Sequence, residues 1–149
     1  VAPATSFLRR LTREERLLRD VPSLVRLHMR PYAMWRARSS DAAIRRLATQ
    51  VCSIETLVRV AAADNTGDEA CQWLLSAAHR LAVEAAAPKP LVQGRDLIAR
   101  GLRPGPQFGE ILKRAYEAQL DGKFFTTDEG VAFVLARLES TGPVVRRGF

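Results

Sequence analysis

Along most of the chain apolar residues recur at helical spacing, and no stretch alternates apolar with polar positions long enough to form a strand. The pattern predicts an all-α bundle of about seven helices. Phe7, Leu8, Leu11, Leu17 and Leu18 outline the first, over 6–20, although Thr12 to Glu15 is a capping pattern that could restart it. Leu24, Leu27 and His28 share a side of the second, over 22–30. Pro22 suits its first turn, and Pro31 should end it, since the residue before a proline avoids the α region. PYAMWRARS, 31–39, then reads as a loop. Ser40 caps a helix whose Ile44, Leu47, Ala48 and Val51 form an apolar stripe, and Ser53 opens the next, with Leu57, Ala61 and Asp64 on one face. Asn65, Thr66 and Gly67 mark a break. Asp68 then starts a long helix that would bury Ala70, Leu74, Ala77, Ala78, Leu81 and Ala85.

Pro88 and Pro90 cannot both continue that helix, so they divide the chain into a helical body, 1–87, and a tail domain, 88–149. Beyond them Gly94, Gly101, Gly105 and Gly109 punctuate two helices, 96–100 and 106–120. The second carries Phe108, Ile111, Leu112, Ala115 and Gln119 in register. Thr126 and Glu129 form a capping box for a last helix that turns Val131, Val134, Leu135 and Leu138 inward, and TGPVVRRGF reads as a frayed end. No internal repeat suggests a solenoid.

Composition adds a constraint on partners. Net charge is +7, but residues 1–67 hold 12 Arg against 6 acids while 68–149 are nearly balanced. Of 23 cations 20 are Arg, and Arg9, Arg10, Arg13, Arg16 and Arg19 fall within three turns of one expected helix, a clustering that suits phosphate contacts. A solvated Arg-rich face, partly offset by Glu14, Glu15 and Asp20, is the alternative. No apolar run approaches the roughly 20 residues of a membrane span, and the first residues lack the pattern of a signal peptide, so a cytoplasmic location is expected. Cys52 and Cys71 have neither C-x-x-C spacing nor histidine companions, which predicts buried free thiols rather than a disulfide or zinc site.

The turn Gly101-Leu-Arg-Pro-Gly-Pro106 carries the sharpest local signal. Glycines permit positive φ, Pro106 fits a first helical position, and free backbone N–H groups at a positive helix end, with Arg103 and Lys113 nearby, would make an anion cradle. A helix corner that binds nothing is the plainer alternative. In this context residues 91–138, with PLVQGRDLIARGLRPGPQFGEILKRAYEAQLDGK, resemble the C-terminal domain of bacterial CCA-adding tRNA nucleotidyltransferases and their poly(A) polymerase relatives. Residues 21–67, with VPSLVRLHMRP, SDAAIRRLATQV and LVRVAAADNTG, are similar to the second half of the histidine-aspartate-type domain in the middle of many such enzymes.

The resemblance implies an RNA-gripping body and tail of an enzyme that extends RNA 3′ ends, with tRNA or another RNA 3′ end as partner. The catalytic head of that family needs a Gly-Ser turn and carboxylates one residue apart, which hold two Mg²⁺ ions while CTP or ATP is attacked. This sequence has neither Gly-Ser nor Asp-x-Asp. It is therefore expected to be a C-terminal portion, inactive alone and with no cofactor of its own; Mg²⁺ and CTP or ATP would belong to the head. Arg9, Arg13, Arg16, Arg36, Arg38, Arg45 and Arg46 are the expected backbone contacts, and Arg103, Gly105 and Lys113 a second clamp.

Two other readings stay open. The histidine-aspartate superfamily holds metal with an upstream histidine, a His-Asp pair and later His and Asp residues. His28 and Asp64 match the later positions, which would suit a remnant metal-dependent phosphohydrolase, but the His-Asp pair is absent. A hydrogen-bonded core histidine with Asp64 as its natural partner is the plainer account of His28. The second reading is a helical dimerisation module, with homodimer formation through the C-terminal helices. His79, beside Arg80, suits a helix C-terminus. Trp35, with Tyr32 in the Arg-rich loop, could stack on exposed bases, while the alternative for Trp35 and Trp73 is anchorage on the core.

Overall fold

The computed structural model describes residues 2–64 and 67–140. Nine helices form among them: α1 (Ala2–Leu11), α2 (Glu15–Leu27), α3 (Arg30–Arg36), α4 (Asp41–Ala48), α5 (Ile54–Ala63), α6 (Asp68–Arg80), α7 (Gly94–Ala99), α8 (Phe108–Leu120) and α9 (Thr127–Ser140). The described residues contain no strand, and the chain divides into two compact units, 1–88 and 89–149.

The eight segments outlined by the sequence become these nine helices because the first two, over 6–20 and 22–30, form three. The expected helix over 6–20 is interrupted at 12–14, where the Thr12 hydroxyl accepts the Glu14 N–H at 3.1 Å and the chain restarts as α2. Pro22 lies inside α2 rather than at a helix start. The ring removes one backbone donor there, and the Ser23 hydroxyl bonds back to the Asp20 carbonyl at 2.8 Å. Pro31 does not end helical structure but begins it, at the second residue of α3, where its missing N–H has no intrahelical partner to lose. The expected loop 31–39 is thus mostly α3. At the other end of the unit, α6 stops at Arg80, so Ala85 lies beyond the helix and is exposed.

Capping residues act where expected. Ser40 and Ser53 accept the backbone N–H of Ala43 and Thr56 at 3.4 and 3.0 Å, opening α4 and α5. The first unit's core is built from one stripe per helix. Leu24 and Leu27 of α2, Met34 of α3, Ile44 and Leu47 of α4, Ile54, Leu57 and Ala61 of α5, and Leu74 and Ala78 of α6 are buried together. Of the two cysteines only Cys71 is buried, with its thiol toward the Val58 carbonyl; Cys52 lies exposed in the turn between α4 and α5. Asn65, Thr66 and the 141–149 tail, which carry the expected break and frayed end, lie outside the described residues.

The second unit packs α7, α8 and α9 around Val92, Leu97, Ala115, Phe124, Val131 and Val134. Gln119, in register with Ala115 as expected, is buried for a polar reason. Its Oε1 accepts the Leu91 N–H and its Nε2 donates to the Lys89 carbonyl, both at 2.9 Å, so one amide fixes the segment that follows Pro88. The Thr126–Glu129 box forms, with Thr126 and Phe125 N–H groups donating to the Glu129 carboxylate at 3.2 and 2.8 Å. Gly130 is required by packing: a Cβ there would lie 2.5 Å from Val92 Cγ2 and 2.6 Å from Phe124 Cε2.

Candidate nucleic-acid interface

The arginines of the first unit do not lie along one helix. Arg9 and Arg10 close α1, where cations face the negative end of its dipole; Arg13 is in the link, and Arg16 and Arg19 open α2. Asp20 takes both of the last two, at 3.7 Å from Arg16 Nε and 2.9 Å from Arg19 Nε. Arg9 and Arg13 are exposed and belong to no salt bridge found among the described residues. Arg45 and Arg46, in the last turn of α4, are half-buried.

Arg36 and Arg38 are set by α3. Arg36 sits one turn after Tyr32, donates to the tyrosine hydroxyl at 3.2 Å, and holds its guanidinium 5.9 Å from the ring centroid. Arg38 follows the end of α3 with φ of 47°, in the left-handed region. Its N–H bonds the Trp35 carbonyl and the Ser39 N–H the Met34 carbonyl, the paired closure usually completed by glycine. Trp35 and Trp73, from α3 and α6, line an open cleft of about 400 Å³ together with Arg36 and Arg38. Trp73 packs against the core as expected, yet it also reaches this surface. Only its place at the edge of the α6 apolar stripe, one residue before Leu74, hinted at that.

In the second unit Arg103, Gly105 and Lys113 are all exposed. Only one of the turn's two glycines, Gly101, uses its conformational freedom. Gly101 has φ of 88° and closes α7, but Gly105 lies outside the positive-φ region and would accommodate a Cβ with nothing within 4 Å. Pro106 precedes α8 rather than opening it, and the Phe108 N–H is already taken by the Gly105 carbonyl at 2.9 Å. Glu110 in the first turn of α8 adds a carboxylate that faces the helix dipole and pairs with Arg114 at 3.1 Å. These features make the turn a poorer anion cradle than its composition suggests.

His28 and Asp64 do meet, Nε2 to Oδ2, at 3.2 Å. The His28 Nδ1 lies 2.7 Å from the Val25 carbonyl, which can only accept, so Nδ1 carries a proton. The contact between Nε2 and the Asp64 carboxylate joins the ends of α2 and α5. Among the described residues no group of three or more His, Cys, Asp or Glu side chains is placed to hold a metal ion. Two donors do not fit a hydrolytic metal centre or the paired Mg²⁺ of nucleotide transfer.

The geometry defines an all-α domain with a basic, aromatic-containing surface. A family model described as "tRNA nucleotidyltransferase domain 2 putative" matches residues 2–134, across both units, and the chain belongs to that family. It is similar to the A-adding tRNA nucleotidyltransferase of Deinococcus radiodurans, 42% identical over 59 residues. Those residues are 39% of this chain and 14% of the relative, so the match spans about one-seventh of that protein's length. No solved structure matches the chain. Among the described residues no helix is long and apolar enough to cross a membrane.

Proposed function

We propose that this chain is the RNA-gripping part of a tRNA nucleotidyltransferase, one that binds tRNA or a related RNA 3′ end by shape and phosphate while nucleotide addition occurs on a separate catalytic head. The observation that carries the reading is the exposed arginine surface of the first unit, where Arg9, Arg13, Arg36 and Arg38 are free of salt bridges found among the described residues, in a chain of the tRNA nucleotidyltransferase domain 2 family. Guanidinium groups suit this task because each offers a planar fork of donors to phosphate oxygens. Arg16, Arg45 and Arg46 would extend the contact line, and Arg103 and Lys113 would supply cations from the second unit. The Mg²⁺ ions and the CTP or ATP substrate would be held by the head, since the described residues present no suitable carboxylate set.

The test is a tRNA-binding titration at rising salt. Six to ten phosphate contacts predict an affinity loss of about a thousandfold or more between about 50 and 200 mM salt. An affinity that barely changed would overturn the reading. Sedimentation with and without tRNA would reveal a dimerisation module as self-association independent of RNA.

A further inference from the structure

Resting on the RNA-binding reading, we infer that the cleft between α3 and α6 takes a single unpaired nucleotide, its base stacked on the indoles of Trp35 and Trp73 and its phosphate held by Arg36 and Arg38. The lining residues are two tryptophans and two arginines with no acidic residue, so an anion with a flat aromatic part is matched at both ends. About 400 Å³ lies in the range of small-ligand pockets and suits one nucleotide. Tyr32, Trp35 and Arg36 form one turn of α3. The tyrosine and indole rings lie 6.1 Å apart at a tilt of 43°, and the Tyr32 hydroxyl holds Arg36 along the wall. An A-form duplex keeps its base faces covered, so only an end, loop or bulge nucleotide could offer a face to these indoles.

An independent observation comes from the backbone. The left-handed residue that closes α3 would be least strained as glycine, yet it is an arginine whose side chain lines the cleft. Ala82 adopts the same conformation with no side chain beyond Cβ, so the strain counts only together with the place of the Arg38 side chain in the cleft.

Trp35 and Trp73 are the chain's two tryptophans, so its indole emission reports on this cleft alone. A short unstructured oligoadenylate should quench that emission, whereas a blunt RNA duplex should bind in a salt-dependent way without quenching. Trp35→Leu should weaken oligoadenylate binding, followed by anisotropy of a labelled strand, by about five- to a hundredfold. Arg38→Gly relieves the backbone and so keeps the fold; it should weaken binding and lower the salt slope by about 0.7. Quenching by both RNAs alike, or unchanged oligoadenylate affinity in the folded Arg38→Gly chain, would overturn the inference. If duplex and tRNA bind but oligoadenylate does not, the cleft fails and the broader reading stands. If none of the three binds, both fail.

Discussion

The two units close their helices with the same backbone device and different residues. In 89–149 the left-handed positions after α7 and α8 are Gly101 and Gly122, with φ of 88° and 73°; in 1–88 the positions after α3 and α6 are Arg38 and Ala82, with φ of 47° and 53°. All four complete the same pair of hydrogen bonds, for example Leu102 N–H to the Leu97 carbonyl in one unit and Val83 N–H to the Ala78 carbonyl in the other. A residue with a Cβ costs about 1–2 kcal/mol more than glycine in this conformation. Where glycine stands, folding alone accounts for the residue. Ala82 shows that the first unit tolerates the strain without a functional reason evident in the structure, whereas Arg38 lines a cleft.

The contrast can be broken by substitution. The largest effect is expected at Gly130 in the second unit, since the Cβ of Gly130→Ala must displace Val92 or Phe124, at a cost of about 1–3 kcal/mol in a denaturation midpoint. A midpoint equal to that of the unaltered chain would mean that α9 can shift away from Val92 freely. Next come the helix ends. Gly101→Ala and Gly122→Ala should each destabilise by about 1–2 kcal/mol, while Arg38→Gly and Ala82→Gly should stabilise by up to about 1 kcal/mol, less the entropy that glycine adds to the unfolded chain. Destabilisation by Arg38→Gly would show that its side chain serves the fold.

The smallest effect is a pH dependence with one carboxylate in each unit. Hydrogen bonds from Arg80, 2.7 and 2.9 Å long, hold Asp41 below the usual carboxylate range, and the backbone N–H of Phe125, followed by Thr126, does so for Glu129. Both values are lower folded than unfolded, so each group stabilises the fold above the ordinary carboxylate pKa near 4 and ceases to do so as pH falls through its folded value. Stability should therefore decline on acidification below about pH 4, and less steeply in Asp41→Asn or Glu129→Gln. Both groups face solvent, which keeps the effect small.

How much of this was legible in the sequence follows from the range over which each signal acts. Ser40, Ser53 and the Thr126–Glu129 box work within three or four residues, and each opens the helix it predicts. The apolar stripes of α4, α5 and α6 were equally plain, because burial repeats at the helical period. Pro31 misled because proline is compatible with both the residue after a helix and the first turn of one. The choice was made by the packing of Met34 into the core, a contact no local pattern contains. The interface residues divide in the same way. Their arginines were visible one by one, but the meeting of Trp35 with Trp73 joins residues 38 positions apart, and Gly105 showed only in three dimensions that its conformational freedom goes unused.

If RNA is held mainly by arginines of the first unit, those arginines should set the salt slope of tRNA binding. Each neutralised phosphate contributes about 0.9 to that slope on duplex RNA, taking the duplex-DNA value as a guide. Replacing Arg9, Arg13, Arg36 and Arg38 by Gln should lower the slope by about 3 to 4, and replacing Arg103 and Lys113 by at most about 2. A slope unchanged by the first set, or lowered more by the second, would contradict the account.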